Sequence, residues 1–283
     1  MVLCCELAGA GWLLAGPNEA TNRFESGTDQ ASAATPGVGS VHSSSADTTR
    51  VLAGGRILHL SDLGVAGATR LASDINSVMD TAVAAVQQFW GPDWPHDIVV
   101  VMTASAEQFS AEAAEGDPAQ WSGIAAVTVA DQVEAHHRVA VNPRIVLAPD
   151  AAAMPVQSLR LVLTHELFHY ASRAYTAQDA PVWLAEGVAD FVARAPTPIP
   201  VDARIQAQDF PVDTDLEAPG PQRAQAYDRA WWFARFVAET YGTPALRDLY
   251  LAACGDGHPD FPTAAHRVLG VDVLTAWRTW LSA

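Results

Sequence analysis

Two histidines four residues apart, inside a long apolar run, are the feature that most constrains this chain. The run covers residues 156–174, has helical spacing, and contains an H-E-x-x-H sequence whose histidines are His165 and His169. Side chains four apart on a helix share one face, so both imidazoles can reach one metal ion. Glu166 follows the first histidine and can reach a water on that metal. The pattern therefore predicts two metal ligands and a general base on one helical turn.

A second apolar segment offers a third ligand. Residues 181–191 predict a helix that returns after a polar turn at residues 176–180, and Glu186 lies 17 positions after His169. A catalytic zinc site has three protein ligands and one open position, so Glu186 completes a His₂Glu set. Asp190 lies one turn further along the same face. Its carboxylate is expected to accept the N–H of a ligand imidazole and so fix the tautomer.

The two segments also have a simpler interpretation, in which neighbouring groups satisfy two partly buried histidines and Glu186 is an ordinary solvated helix residue. The apolar flanks of the motif argue against it, because buried imidazoles and a carboxylate are costly without a partner. A bound metal ion would supply that partner.

The H-E-x-x-H sequence at residues 165–169 and the W-L-x-E-G-x-A-D sequence at residues 183–190 resemble the gluzincin zinc metallopeptidases. The pair is similar to their bacterial peptidase MA-like branch, which is related to thermolysin and the M1 aminopeptidases. The resemblance implies one Zn²⁺ ion, Glu166 as general base, and Asp190 as support for a ligand histidine. The implied zinc ligands are His165, His169 and Glu186.

Peptide-bond hydrolysis is the activity that this resemblance implies. Glu166 would take a proton from a zinc-activated water and pass it to the leaving amine. The oxyanion formed needs a further donor, and Tyr227 is the first candidate, because the M1 aminopeptidases use a tyrosine from a comparable place. A purely packing role for Tyr227 stays open. The alternative donors are His136, His137, Arg223 and Arg229.

The segment before the motif helix is expected to contribute to substrate binding. Residues 139–142 predict a strand that, by resemblance, forms one wall of the cleft, where an extended peptide would add through main-chain hydrogen bonds. No G-x-M-E-N-like aminopeptidase signature precedes the motif. This favours an endopeptidase over an exopeptidase.

The order of apolar patterns predicts an α+β fold, with a small mixed sheet in the N-terminal half packed on a mainly helical C-terminal half that carries the motif helix. Two of the strands, 124–130 and 138–142, are expected to pair around a polar loop. The other predicted strands are 56–60 and 97–102. The predicted helices outside the motif are 69–90, 106–115, 224–241, 263–269 and 273–281.

Charge and cysteine content limit the partners and the kind of site. The chain has 32 acidic and 16 basic residues, a net charge of −16, which argues against nucleic acid and anionic membrane surfaces as partners. Cysteines occur at Cys4, Cys5 and Cys254 without a Cys-x-x-Cys pair, so a thiolate zinc site is not expected. Cys254 is expected to be an inert thiol.

Three regions are predicted along the chain. Residues 1–20 contain a short apolar run without a positive leading segment and suggest an incomplete signal or membrane anchor. Residues 21–50, rich in small polar residues, predict a disordered linker, and residues 51–283 the metallopeptidase domain. This layout predicts an extracellular or cell-surface protein, tethered to a membrane at most by its N-terminus, with a peptide or protein substrate. Two alternatives remain: a catalytically silent zinc-binding scaffold, and a zinc hydrolase of other amides or esters.

Overall fold

The computed structural model describes residues 47–113, 123–218 and 220–283. These residues form an α+β fold with a small mixed sheet in the N-terminal half and a helical C-terminal half, which confirms the predicted fold class. The predicted anchor at residues 1–20 and most of the predicted linker lie outside the described residues.

All the strands lie before residue 148, with two α-helices among them, and the remaining α-helices follow from residue 156 onward. The strands are β1 (Thr48–Val51), β2 (Ile57–Asp62), β3 (Asp97–Met102), β4 (Ala126–Val129), β5 (Gln132–Glu134), β6 (Val139–Val141) and β7 (Arg144–Leu147). The helices are α1 (Ala68–Trp90), α2 (Ala106–Glu112), α3 (Val156–Ser172), α4 (Val182–Ala193), α5 (Val201–Gln206), α6 (Asp213–Leu216), α7 (Pro221–Tyr241), α8 (Thr243–Cys254), α9 (Phe261–Leu269) and α10 (Val273–Ser282). The motif helix is therefore α3, and the helix with the third candidate ligand is α4.

The main sheet has five strands in the order β1-β2-β3-β7-β4. Strands β2, β3 and β7 are parallel, and the outer strands β1 and β4 are antiparallel to their neighbours. The predicted pairing of residues 124–130 with 138–142 is wrong, because β4 pairs with β7 and β6 pairs with β5 in a separate hairpin. The reason is burial: β7 is apolar and largely buried, as β4 is, whereas β5 and β6 are mostly exposed.

The folded part begins earlier than the predicted boundary between residues 50 and 51. Thr48 to Arg50 belong to β1, which pairs with β2, so the end of the predicted linker is part of the sheet. The side chains of this strand are mostly exposed, and Arg50 forms a salt bridge with Asp80 of α1. Backbone pairing rather than apolar burial holds the strand, which is why no hydrophobic pattern marks it.

Helix α3 lies at the centre of the fold. It packs against α1, α4, β4 and β7, and its residues from Val162 to Ser172 are all buried. From Val162 onward the helix therefore has no solvent-facing side, in accord with the apolar flanks of the motif. Cys254, at the end of α8, is fully buried, and burial raises the pKa of its thiol, as expected for an inert cysteine.

No helix in the described ranges combines the length and apolar character needed to cross a membrane.

Helices α4 and α7 approach each other closely at Gly187. A Cβ atom placed on Gly187 would overlap the carbonyl oxygen of Ala230 and lie 3.1 Å from the Cβ atom of that residue. One turn before Gly187 along α4, Trp183 packs edge-on against Phe233 of α7, with ring centroids 5.3 Å apart. The missing side chain of Gly187 therefore sets the distance between the two helices beside Glu186.

We expect Gly187→Ala to destabilise the chain by about 1–3 kcal/mol, because the added methyl group meets a backbone carbonyl that cannot rotate away. Urea unfolding followed by circular dichroism would measure the change. An unaltered unfolding midpoint would show that α4 and α7 do not depend on this contact.

Candidate metal centre

Two helices bring three ligand-type side chains to one point. His165 and His169 project from α3, Glu186 projects from α4, and their ligand atoms all lie within 4.8 Å of one another. The Nε2 atoms of His165 and His169 are 3.1 Å apart. Glu186 places Oε2 3.3 Å from Nε2 of His165 and Oε1 3.4 Å from Nε2 of His169. Within the part of the chain that the structure describes, this is the one such group with metal-ligand spacing.

The spacing of these atoms fits a small tetrahedral metal ion. Ligand atoms about 2.0–2.1 Å from a tetrahedral centre lie about 3.3–3.4 Å from one another. The two imidazole nitrogens are 3.1 Å apart, and each lies 3.3 or 3.4 Å from the nearer carboxylate oxygen of Glu186. Two imidazole nitrogens and a carboxylate therefore form a group that could bind a metal ion.

Asp190 supports one of the two imidazoles. Its Oδ1 atom lies 3.0 Å from Nδ1 of His165, and both side chains are buried. A carboxylate can only accept a hydrogen bond, so the proton of the neutral ring is on Nδ1 and the lone pair is on Nε2. Nε2 is the atom that faces His169 and Glu186, so this contact directs a lone pair into the cluster.

Glu166 lies beside the cluster with its two oxygens in different environments. Oε2 accepts a hydrogen bond of 2.7 Å from the hydroxyl of Thr128 on β4. Oε1 is buried and has no hydrogen-bond partner among the described residues. Buried carboxylate oxygens are costly without a partner, so a polar group held at the cluster would satisfy this atom.

Burial and charge shift the pKa values of these groups in opposite directions. Burial raises the pKa of Glu166, with the nearby histidines opposing it. Burial alone would lower the pKa of His165, but its hydrogen bonds to Asp190 and Glu186 raise that pKa to about 10. Burial opposes ionisation of Glu186 as well, yet the two histidines hold its pKa below the usual range. The raised pKa favours a second proton, on Nε2 of His165, in the metal-free chain, and a metal ion would displace that proton.

The cluster is shielded from solvent. The relative exposure is 0% for His165, Glu166 and Glu186, 2% for Asp190 and 3% for His169. Electrostatic interactions in such a site are stronger than in water.

The structure brings five of the six predicted site residues together, namely His165, Glu166, His169, Glu186 and Asp190. The sixth, Tyr227, is largely buried in α7, one turn before Ala230, whose carbonyl faces Gly187. Its helix is thus adjacent to the helix that carries Glu186, and its role as an oxyanion donor stays a prediction.

Each of the four alternative donors already has a polar partner, and none of these partners belongs to the cluster. His136 and His137 are exposed and bond to Asp256 and Glu134, respectively. Arg229 forms a salt bridge with Asp215. Arg223 donates to the carbonyl of Ala218.

The strand expected to form the cleft wall is not part of the main sheet, and its role as a cleft wall stays a prediction. The predicted residues 139–142 contain β6, which belongs to the separate hairpin, whereas β4 lies at the end of the main sheet and contacts α3. Thr128 of β4 reaches Glu166 directly. Strand β4 is therefore the edge strand of the main sheet that contacts the motif helix.

Two residues in contact with the cluster are absent from the sequence-based prediction. Thr128 is the hydrogen-bond partner of Glu166, and its only sequence signal is a hydroxyl within an otherwise apolar strand. Arg194 donates to Asp190 from four positions further along the chain. Oppositely charged residues four apart on a helix often form an ion pair, so this spacing could have predicted Arg194 as the partner of Asp190.

Comparison with protein-family models and with curated proteins finds no match to this chain.

We expect the wild-type chain to bind about one metal ion, and His165→Ala and Glu186→Ala to lose it, because each removes one of three ligands. Metal content after dialysis, measured by plasma mass spectrometry, tests this. His136→Ala, at an exposed histidine bonded to Asp256, is the matched control and should keep the metal. Full occupancy in His165→Ala would exclude the cluster as the binding site.

The metal-free chain is expected to lose stability as the pH rises above neutrality. The pKa of His165 is raised from 6.5 to about 10, so its contribution is complete below pH 6.5 and is lost as the pH approaches 10. Urea unfolding of chelator-treated protein between about pH 6.5 and about pH 8.5, below the main ionisation range of phenols and thiols, would measure this slope. His165→Gln should have a smaller slope; an equal slope would assign the effect to other groups.

Proposed function

We propose that this chain is a zinc-dependent hydrolase of peptide bonds, with His165, His169 and Glu186 as the zinc ligands. Two imidazoles and one carboxylate are a donor set that suits zinc, and three protein ligands leave one coordination position open. The observation that carries the proposal is the buried Glu166, whose Oε1 atom has no hydrogen-bond partner among the described residues and which directly follows a ligand.

Glu166 is the proposed general base. Zinc, when bound, supplies a Lewis acid that acidifies water and polarises a carbonyl oxygen. Because Thr128 occupies Oε2, the other oxygen of Glu166 is the atom available to take a proton from the attacking water. The raised pKa of Glu166 suits a group that must hold this proton and return it to the leaving amine. Asp190 keeps the ligand nitrogen of His165 unprotonated in the neutral tautomer.

The substrate is proposed to be a peptide or protein that lies along β4. Among the described residues, β4 pairs only with β7, so its other edge is the place where an extended segment would add. Tyr227 remains the proposed oxyanion donor because α7 lies against the helix of Glu186. The net charge of −16 disfavours nucleic acid as a partner. An extracellular or cell-surface location is part of the same proposal.

A catalytically silent metal-binding scaffold is the second candidate, and burial is the observation that favours it. The ligands and Glu166 have at most 3% relative exposure, and a substrate must reach them for hydrolysis. A zinc hydrolase of other amides or esters would use the same groups. All three candidates require the metal, and they differ in what the holo-protein cleaves.

Glu166→Gln is expected to keep the metal and to lower hydrolysis by at least about a hundredfold, because the amide cannot accept the proton. Zinc-loaded wild type and variant would be incubated with a mixed peptide library and with simple esters, and the products identified by mass spectrometry. Glu217→Gln, on the surface, is the matched control and should cleave as wild type does.

Three results would contradict the peptidase proposal. Zinc binding without any cleavage by wild type would favour the scaffold. Cleavage of esters but not of peptides would favour the other hydrolase class. Unchanged cleavage by Glu166→Gln would exclude Glu166 as the base.

A further inference from the structure

The Asp190 carboxylate is held from both sides. Its Oδ1 atom lies 3.0 Å from Nδ1 of His165, and its Oδ2 atom accepts a 3.0 Å hydrogen bond from Nη1 of Arg194. Arg194 lies one turn after Asp190, just beyond the end of α4. A charged chain therefore runs from the cluster through Asp190 to Arg194, and each step is a charge-assisted hydrogen bond.

Helix α7 in turn fixes the guanidinium of Arg194. Nη1 lies 3.3 Å from Oδ1 of Asp228, and Cζ lies 4.4 Å from the centre of the Trp231 ring. The Arg194 side chain is only 16% exposed. An arginine held by two carboxylates and an aromatic face has few alternative positions, so it is suited to orienting its neighbours.

The charges of the cluster require such a cation. Glu166, Glu186 and Asp190, when ionised, carry one more negative charge than a divalent ion can cancel, and all three are buried. Arg194 supplies the missing positive charge on the side away from the metal. Asp228 is 40% exposed, so water compensates part of its charge.

We propose that Arg194 is a positioning residue of the metal centre. It fixes the Asp190 carboxylate, and through Asp190 it sets the ring orientation and tautomer of His165. This inference rests on the proposed metal-binding function of the site, but it makes a separate claim about how tightly the metal is held.

The experiment measures the affinity of the full-length chain for Zn²⁺ and Co²⁺, by competition with a chromophoric chelator, together with the visible spectrum of the Co²⁺ form. Removal of a group that orients a metal ligand lowers metal affinity about 10–100-fold. Arg194→Met keeps an unbranched apolar stem, removes the guanidinium and its charge, and should weaken binding about tenfold and shift the Co²⁺ bands. Arg194→Lys should recover part of the affinity.

Arg235→Met is the matched control. Arg235 also pairs with an acid four positions away, Glu239, and its Cζ also faces the Trp231 ring, at 5.3 Å. It has no hydrogen bond or salt bridge to Asp190 among its contacts within the described residues. Its loss should therefore leave metal affinity unchanged.

A double variant distinguishes positioning from general stabilisation. If Arg194 acts through Asp190, adding Arg194→Met to Asp190→Asn should weaken binding no further. Two results would overturn the inference while leaving the metal site intact. One is a loss of metal affinity in the double variant that equals the sum of the two single losses, and the other is wild-type affinity in Arg194→Met. A wild-type chain that binds neither ion would overturn the metal function as well. Should Arg194→Met not fold, Arg194→Gln allows the same comparison.

Discussion

The burial of ionisable side chains between α3 and α4 is the constraint on which the rest of the structure depends. Glu166, Glu186 and Asp190 are carboxylates with almost no access to water, and the two histidines beside them are equally shielded. Unpaired charges in such a place cost several kcal/mol each, so the helices can pack only if every charge has a partner. The partners are the imidazoles, the Thr128 hydroxyl and the Arg194 guanidinium. In the metal-free chain the raised pKa of His165 favours a second proton on its ring, and a metal ion would supply greater positive charge at the same point.

Packing and charge are coupled across α4. The helix presents Glu186 and Asp190 to α3 and presents Gly187 to α7. Because Gly187 lets the two helices approach closely, α7 brings Asp228 and Trp231 within reach of Arg194. A larger residue at position 187 would therefore act on the charges as well as on the packing. The apolar contact and the polar chain are two consequences of one helix crossing.

The parts of the site that sequence could predict are those set by local geometry. His165 and His169 share a face because they are four apart on a helix, and Asp190 follows Glu186 by the same rule. The contact of α4 with α3 could be predicted because only a short turn separates the two apolar helices. Thr128 could not be predicted, because it lies 38 residues from Glu166 and reaches it only through the strand order β7-β4. The sequence did not predict strand β7, so it could not predict the pairing of β4 with β7. Strand β1 was not predicted because backbone pairing leaves no hydrophobic pattern.

The environment of Glu166 supports the proposal of a catalytic metal site over a purely structural one. A metal site that serves only to hold a fold is usually closed by four protein ligands, whereas this cluster has three and adds a carboxylate that takes part in a single side-chain hydrogen bond. Keeping that carboxylate buried destabilises the fold, since burial raises its pKa and leaves Oε1 without a partner among the described residues. An apolar residue of similar size would remove this cost. The feature that costs stability is the one that a proton-transferring group requires, because the same shielding that raises the pKa of Glu166 makes its carboxylate a stronger base.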